Sequence, residues 1–226
     1  MLAGLLEAIL ANRVVIADYD PSWPFVFAQL RSRLTATLSP FAVAIEHVGS
    51  TAVPGLAAKP IIDLDVVIAD RSDLPAVLQR LRPLGYRHEG DLGVAGREAF
   101  ATPTDATPHH LYVCAIGTAA LDRHLAFRDV LRADSGLAAA YGDLKRTLAA
   151  RLGHDRIAYT EAKSAFVEQV LAQAAAASGG TALGPRAGSG HRSTTHNDRS
   201  AGVSSAPVTG REERAVRNRG RGGMST

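Results

Sequence analysis

Residues 45–68 read IEHVGSTAVPGLAAKPIIDLDVVI: one apolar run ends at Gly49-Ser50-Thr51, and a second, separated from Ser50 by twelve residues, carries Asp63-Leu64-Asp65. Both runs have the composition of buried strands. The outer positions of IIDLDVVI are nearly all apolar, which suits the interior of a mixed sheet. Successive side chains on a strand point to opposite faces, so Asp63 and Asp65 share one face, about 6 to 7 Å apart by the strand rise. Two carboxylates so placed form a template for a hard cation. The plain alternative is that one acid caps a neighbouring loop and the other is solvated, since two like charges beside an apolar strand need compensation. Upstream, Gly49 lets the backbone approach a ligand closely, and Ser50 and Thr51 offer hydroxyls and N–H groups of the kind that hold phosphate oxygens. The turn-rich AVPGLAAKP connection can fold back and bring such a phosphate to the acids. Lys59 within it either neutralises that phosphate or is a surface lysine.

Working outward, residues 1–12 have helical spacing, and VVIADYD from Val14 reads as a short strand. Asp20-Pro21-Ser22 opens a helix whose Trp23, Phe27, Leu30, Leu34 and Leu38 form a core-facing stripe that ends at Pro40. Ser72, Asp73 and Pro75 start another helix. YRHEGD, REAFAT and HHLYVCAI follow as β-like segments between turns. The last third is helical: near 121–133, from Leu137 through Leu152, and from Glu161 through Val170. The class is α+β with a helical C-terminal part.

The chain has 226 residues, 46% of them hydrophobic, enough to fill a core, with no run long enough to span a bilayer and no signal-peptide pattern at the start. A cytoplasmic protein is expected. Cys114, the single cysteine, excludes a disulfide framework and a multi-cysteine zinc site, and its place in LYVCAI reads as a buried thiol. From residue 176 on there are eight arginines against three acids, a net of +5, which leaves about −2 on residues 1–175 of a chain whose total is +3. The body is therefore not basic, and nucleic acid is not an expected partner except weakly through the arginine-rich end of the tail. The Gly/Ser/Arg-rich composition of 176–226 reads as disorder. The organisation is thus a helical lead at 1–12, a domain at 13–175 and the tail.

The spacing of Val48-Gly49-Ser50 and Asp63-Leu64-Asp65-Val66 resembles the signature of the nucleotidyltransferase fold superfamily. With YDPSWPFVF, HHLYV, HLAFRDVLR, YGDLKRTLA and YTEAKSAFV it resembles, more narrowly, the GrpB family over about residues 13–172. The resemblance implies a nucleotidyltransferase-like mixed β-sheet flanked by helices. It also implies a metal-dependent nucleotidyltransferase, with Mg²⁺ (or Mn²⁺) on Asp63 and Asp65, that moves a nucleotidyl group from an NTP to an unnamed acceptor. Active members of the superfamily usually add a third carboxylate from a neighbouring strand, and here Glu98 is the best-placed candidate, ahead of Asp105. The alternative is a non-catalytic module that binds a nucleotide or coenzyme A precursor, related to the domain fused to dephospho-CoA kinase in some actinobacteria. A coenzyme A-pathway enzyme is then a candidate partner.

Adjacent strand residues His109 and His110 face opposite ways; His110 shares its face with Tyr112 and Cys114 and is either a site residue or a hydrogen-bonded core histidine. His124 and Arg128 share a helix face, as do Tyr159 and Lys163. Spacing alone favours an ordinary helix surface, whereas the family blocks carry His124, Arg128, Lys145 and Lys163 in register. The resemblance implies a phosphate site built from Gly49, Ser50, Thr51, Lys59, His110, His124, Arg128 and Lys163.

Overall fold

The computed structural model describes residues 13–179; the expected helical lead and most of the expected tail lie outside them. In chain order the elements are α1 (Trp23–Leu38), β1 (Ala42–Val48), β2 (Ile62–Ile68), α2 (Leu74–Leu81), β3 (Arg87–Gly90), β4 (Arg97–Ala101), β5 (His109–Ala115), α3 (Ala119–Ala133), α4 (Ser135–Leu152) and α5 (Arg156–Gly179). The strands form one sheet in the order β1-β2-β5-β4-β3. β2 runs antiparallel to β1 and parallel to β5, so the sheet is mixed and β2 is interior. This is the α+β arrangement that the sequence leads one to expect, a mixed sheet flanked by helices with a helical C-terminal part.

Apolar burial sets the layers. Leu64, Val66, Leu111 and Val113 face α1 and α2 and pack with Trp23, Leu34, Leu38, Val77 and Leu81. The opposite sheet face packs Val67 and Cys114 against Ala120 and Leu121 of α3. Burial pushes the Cys114 thiol up to about 12, so it is an inert core group. The C-terminal helices have their own core, in which Val53 and Leu56 of the β1–β2 connection meet Leu131, Ala138 and Tyr141. Among the described residues no helix is long and apolar enough to cross a membrane.

Three local expectations need correction. VVIADYD is not a strand: Ala17 makes one isolated bridge to Ala58, and the Val14 N–H donates to Gly153 O at 2.7 Å, so the segment is tied to a loop and a helix end. The last helix starts before Glu161 because Asp155 Oδ1 accepts from the N–H groups of Ile157 and Ala158, both at 3.0 Å, and caps it there. It also runs to Gly179, past the boundary expected at residue 175.

Candidate functional site

Strand alternation and register put both acids on the sheet face that meets α3. Asp63 lies beside Val48 and His110, and Asp65 beside Glu46 and Tyr112. Each acid is held by one histidine. Nδ1 of His110 donates to Asp63 Oδ1 and Nδ1 of His124 to Asp65 Oδ2, both at 2.8 Å, which leaves Nε2 of each ring for another partner. Asp65 is 0% exposed, and its Oδ1 has no hydrogen-bond partner among the described residues. Gly49 is pressed against Asp63: at φ 68° a Cβ there would stand 2.2 Å from Asp63 Oδ2. Only glycine lets the turn and this acid come so close.

Beside the acids is a cleft of about 250 Å³ lined by Ser50, Lys59, Asp63, His110, Lys145 and Lys163, with the rings of Tyr112, Tyr141 and Tyr159. Lys145 is 3% exposed, and its Nζ donates to Ser50 Oγ at 2.9 Å and to Ala57 O. Burial, with Lys163 nearby, pulls the Lys145 ammonium from 10.5 down to about 7. Lys59 Nζ sits 4.7 Å from the centre of the Tyr159 ring, and burial lowers this lysine to about 8. Burial raises Tyr112 and Tyr159 to about 12 and raises Tyr141 too, so at neutral pH all three phenols keep their protons and act as donors. The arrangement is cationic and rich in donors, suited to an anionic ligand placed against two acids.

Four sequence-based assignments change. Glu98 is not a third acid beside the pair. It lies opposite Val113, on the sheet face away from the two acids, where Arg71 (2.6 Å) and His88 (2.7 Å) hold it; period-two alternation puts Arg97 and Ala99 on the acid face instead. Thr51 lines the cleft as expected, but it is 1% exposed with its hydroxyl committed, accepting from His47 Nε2 (3.0 Å) and donating to Ile61 O (3.5 Å), so it also braces the turn. Burial takes His47 down to about 4, a neutral ring stacked on Phe27. Arg128 does not line the cleft. It donates to Glu46 Oε2 (2.7 Å), His47 O (3.2 Å) and Asp129, tying α3 to β1. His124 is likewise absent from the cleft lining, and its contact is with Asp65. His109 is a buried structural residue that donates to Thr107 O and accepts from the Tyr86 hydroxyl.

Gly49, Ser50, Lys59, His110 and Lys163 do stand at the cleft or against its acids. The residue missed was Tyr141, which helical spacing assigns to a core stripe, whereas Tyr159 lines the cleft on the helix face it shares with Lys163. The available signal was Lys145, a charge four residues after Tyr141 on a stripe otherwise continued by Leu144 and Leu148.

UPF0157 protein YqkA of Bacillus subtilis (strain 168) is 33% identical over 168 residues, covering 74% of this chain and 49% of that one, so the chain spans about half the length of that relative. The dephospho-CoA kinase of Mycolicibacterium paratuberculosis is 25% identical over 180 residues, covering 69% of this chain and 44% of that one. The crystal structure of conserved protein GrpB from Enterococcus faecalis superposes with a TM-score of 0.66 at 32% identity, over 73% of this chain and 99% of that one. Residues 13–173 match the family model described as GrpB protein, and the chain belongs to the GrpB family.

Proposed function

We propose that this chain is a nucleotidyltransferase that holds a nucleoside triphosphate by its phosphates in the lysine-lined cleft and passes the nucleotidyl group to an acceptor, releasing pyrophosphate. The observation that carries the reading is a cleft lined by Lys59, Lys145, Lys163 and Asp63, with Asp65 buried beside Asp63 on the same sheet face.

The acid pair fits a small hard cation. Asp65 Oδ1 is buried and unpartnered, and a buried carboxylate oxygen calls for a positive or donating neighbour. No group of three or more His, Cys, Asp or Glu is arranged for a metal among the described residues. Mg²⁺ suits such a partial set, since it commonly takes one or two carboxylates and fills its remaining positions with waters and substrate phosphates. Asp63 and Asp65 would hold it, or Mn²⁺ in its place; once bound, the cation supplies charge neutralisation at the phosphoryl oxygens. The chain's own groups do the rest. Lys145 donates to Ser50 Oγ and so leaves the Ser50 proton free to meet a phosphate oxygen. Lys59 and Lys163 add positive charge along the cleft. His110, its Nδ1 engaged by Asp63, keeps Nε2 to take a proton from the acceptor.

One observation favours a second reading. With Glu98 on the far face, β5 and β4 offer the acid face His110, Tyr112, Arg97 and Ala99, and the remaining carboxylate there, Glu46 of β1 beside Asp65, is engaged by Arg128. A binding module for a nucleotide or a coenzyme A precursor needs no third acid, and the likeness to part of a dephospho-CoA kinase chain makes coenzyme A precursors worth testing.

A thermal-shift screen with the four NTPs and coenzyme A precursors, each with and without Mg²⁺, separates the two. A ligand at a hundred times its dissociation constant adds about 2.7 kcal/mol of stability. The expected result is a Mg²⁺-dependent shift by an NTP that Asp63→Asn removes. An Asp63→Asn, Asp65→Asn double variant that binds Mg²⁺ and NTP like the wild type sinks the transferase, and a metal-independent shift by a coenzyme A precursor selects the second reading.

A further inference from the structure

Next to the phosphate cleft is a smaller pocket of about 150 Å³, lined by Val14, Val15, Pro60, Ile61 and Pro108 with Arg13 at its side. The two spaces are neighbours, with Lys59, Ile61 and Arg156 in the lining of both. Their linings differ in kind. The cleft presents lysines, tyrosine hydroxyls and an acid, and the smaller pocket presents aliphatic groups and two proline rings. Lys59 lies between them: its ammonium stands over Tyr159, and the residue lines the small pocket as well as the cleft.

Size and chemistry together identify an occupant. Neither space alone reaches the roughly 300 Å³ at the lower end of small-molecule sites, and joined they do. An apolar space of about 150 Å³ holds one benzene-sized ring. A guanidinium such as that of Arg13 stacks on aromatic faces, and prolines give such a slot rigid sides. We infer that this pocket is the second half of the ligand site and takes the nucleobase-sized ring of the same ligand whose phosphates occupy the cleft, the connecting atoms crossing over Lys59. This rests on the phosphate cleft proposed above and adds that the site reads the organic part of the ligand as well as its charge.

Calorimetric titration of the full chain compares inorganic tripolyphosphate with each of the four nucleoside triphosphates, all with Mg²⁺, in the wild type and in Val15→Trp, which fills the pocket from a half-buried position. The wild type is expected to bind its preferred nucleotide roughly tenfold more tightly than tripolyphosphate, the scale of stacking one base. Val15→Trp is expected to erase that margin and leave tripolyphosphate affinity unchanged. Where Val15→Trp fails to fold, Val15→Ala, which widens the slot, is expected to shrink the margin. Equal wild-type affinities, or a margin that survives both substitutions, overturns the pocket and leaves the phosphate cleft standing. Failure of both ligands to bind overturns the two together.

Discussion

Lys145 shows how much one side chain can hold together. It is an ammonium 3% exposed, without an acid partner among its hydrogen bonds, donating to Ser50 Oγ and Ala57 O. Its folded value falls from 10.5 to about 7, so between those values the unfolded chain binds the proton that the folded chain releases. This position therefore contributes more stability as pH rises through that window and least below it. In urea unfolding, the wild type's advantage over Lys145→Met is expected to grow from pH 7 to pH 10. A difference that stays flat with pH shows that the buried ammonium is fully compensated. An anion bound in the proposed cleft would act the other way and draw the proton back onto the lysine.

At the scale of elements, α3 is fastened to the sheet through His124 on Asp65 and Arg128 on Glu46. The second of these joins a half-buried arginine to a partly exposed acid. A double-mutant cycle of Glu46→Gln and Arg128→Met, read by urea unfolding, is expected to give a coupling of about 1 kcal/mol. A coupling near zero means that α3 is held by its apolar face alone. The strands, their acid-bearing face and the helical C-terminal part were legible in the sequence because period-two and period-3.6 patterns report directly on burial. The third acid was not, because a strand reveals that Glu98 and Ala99 face opposite ways but not which of them faces β2's acids; that depends on register with β5. Arg128 was misread for a related reason: helical spacing fixes the face it shares with His124, and only tertiary packing decides that Glu46 waits there. Val14–Asp20 looked like a strand by composition and became a strap across loop and helix, a case of tertiary contacts overriding local pattern.

Across the whole described molecule, the cleft draws on residues from Ile16 to Lys163. Ligand binding is therefore expected to slow hydrogen exchange in two widely separated peptides, one spanning 50–65 and one spanning 141–163. Protection confined to the first would mean that the C-terminal helices do not close the site. The parallel pairing of β2 with β5 has one more consequence. It unites Asp63 with His110 across the intervening α2, β3 and β4, and Lys145 reaches Ser50 from farther still along the chain. Contacts of such long sequence separation close late in folding, after the hairpins and helices that lie between them. A chain stalled partway would then keep strands and helices but lack the acid–imidazole pair and the lysine under the turn, so binding of the proposed ligand would report completed folding, which a spectroscopic measure of helix content does not.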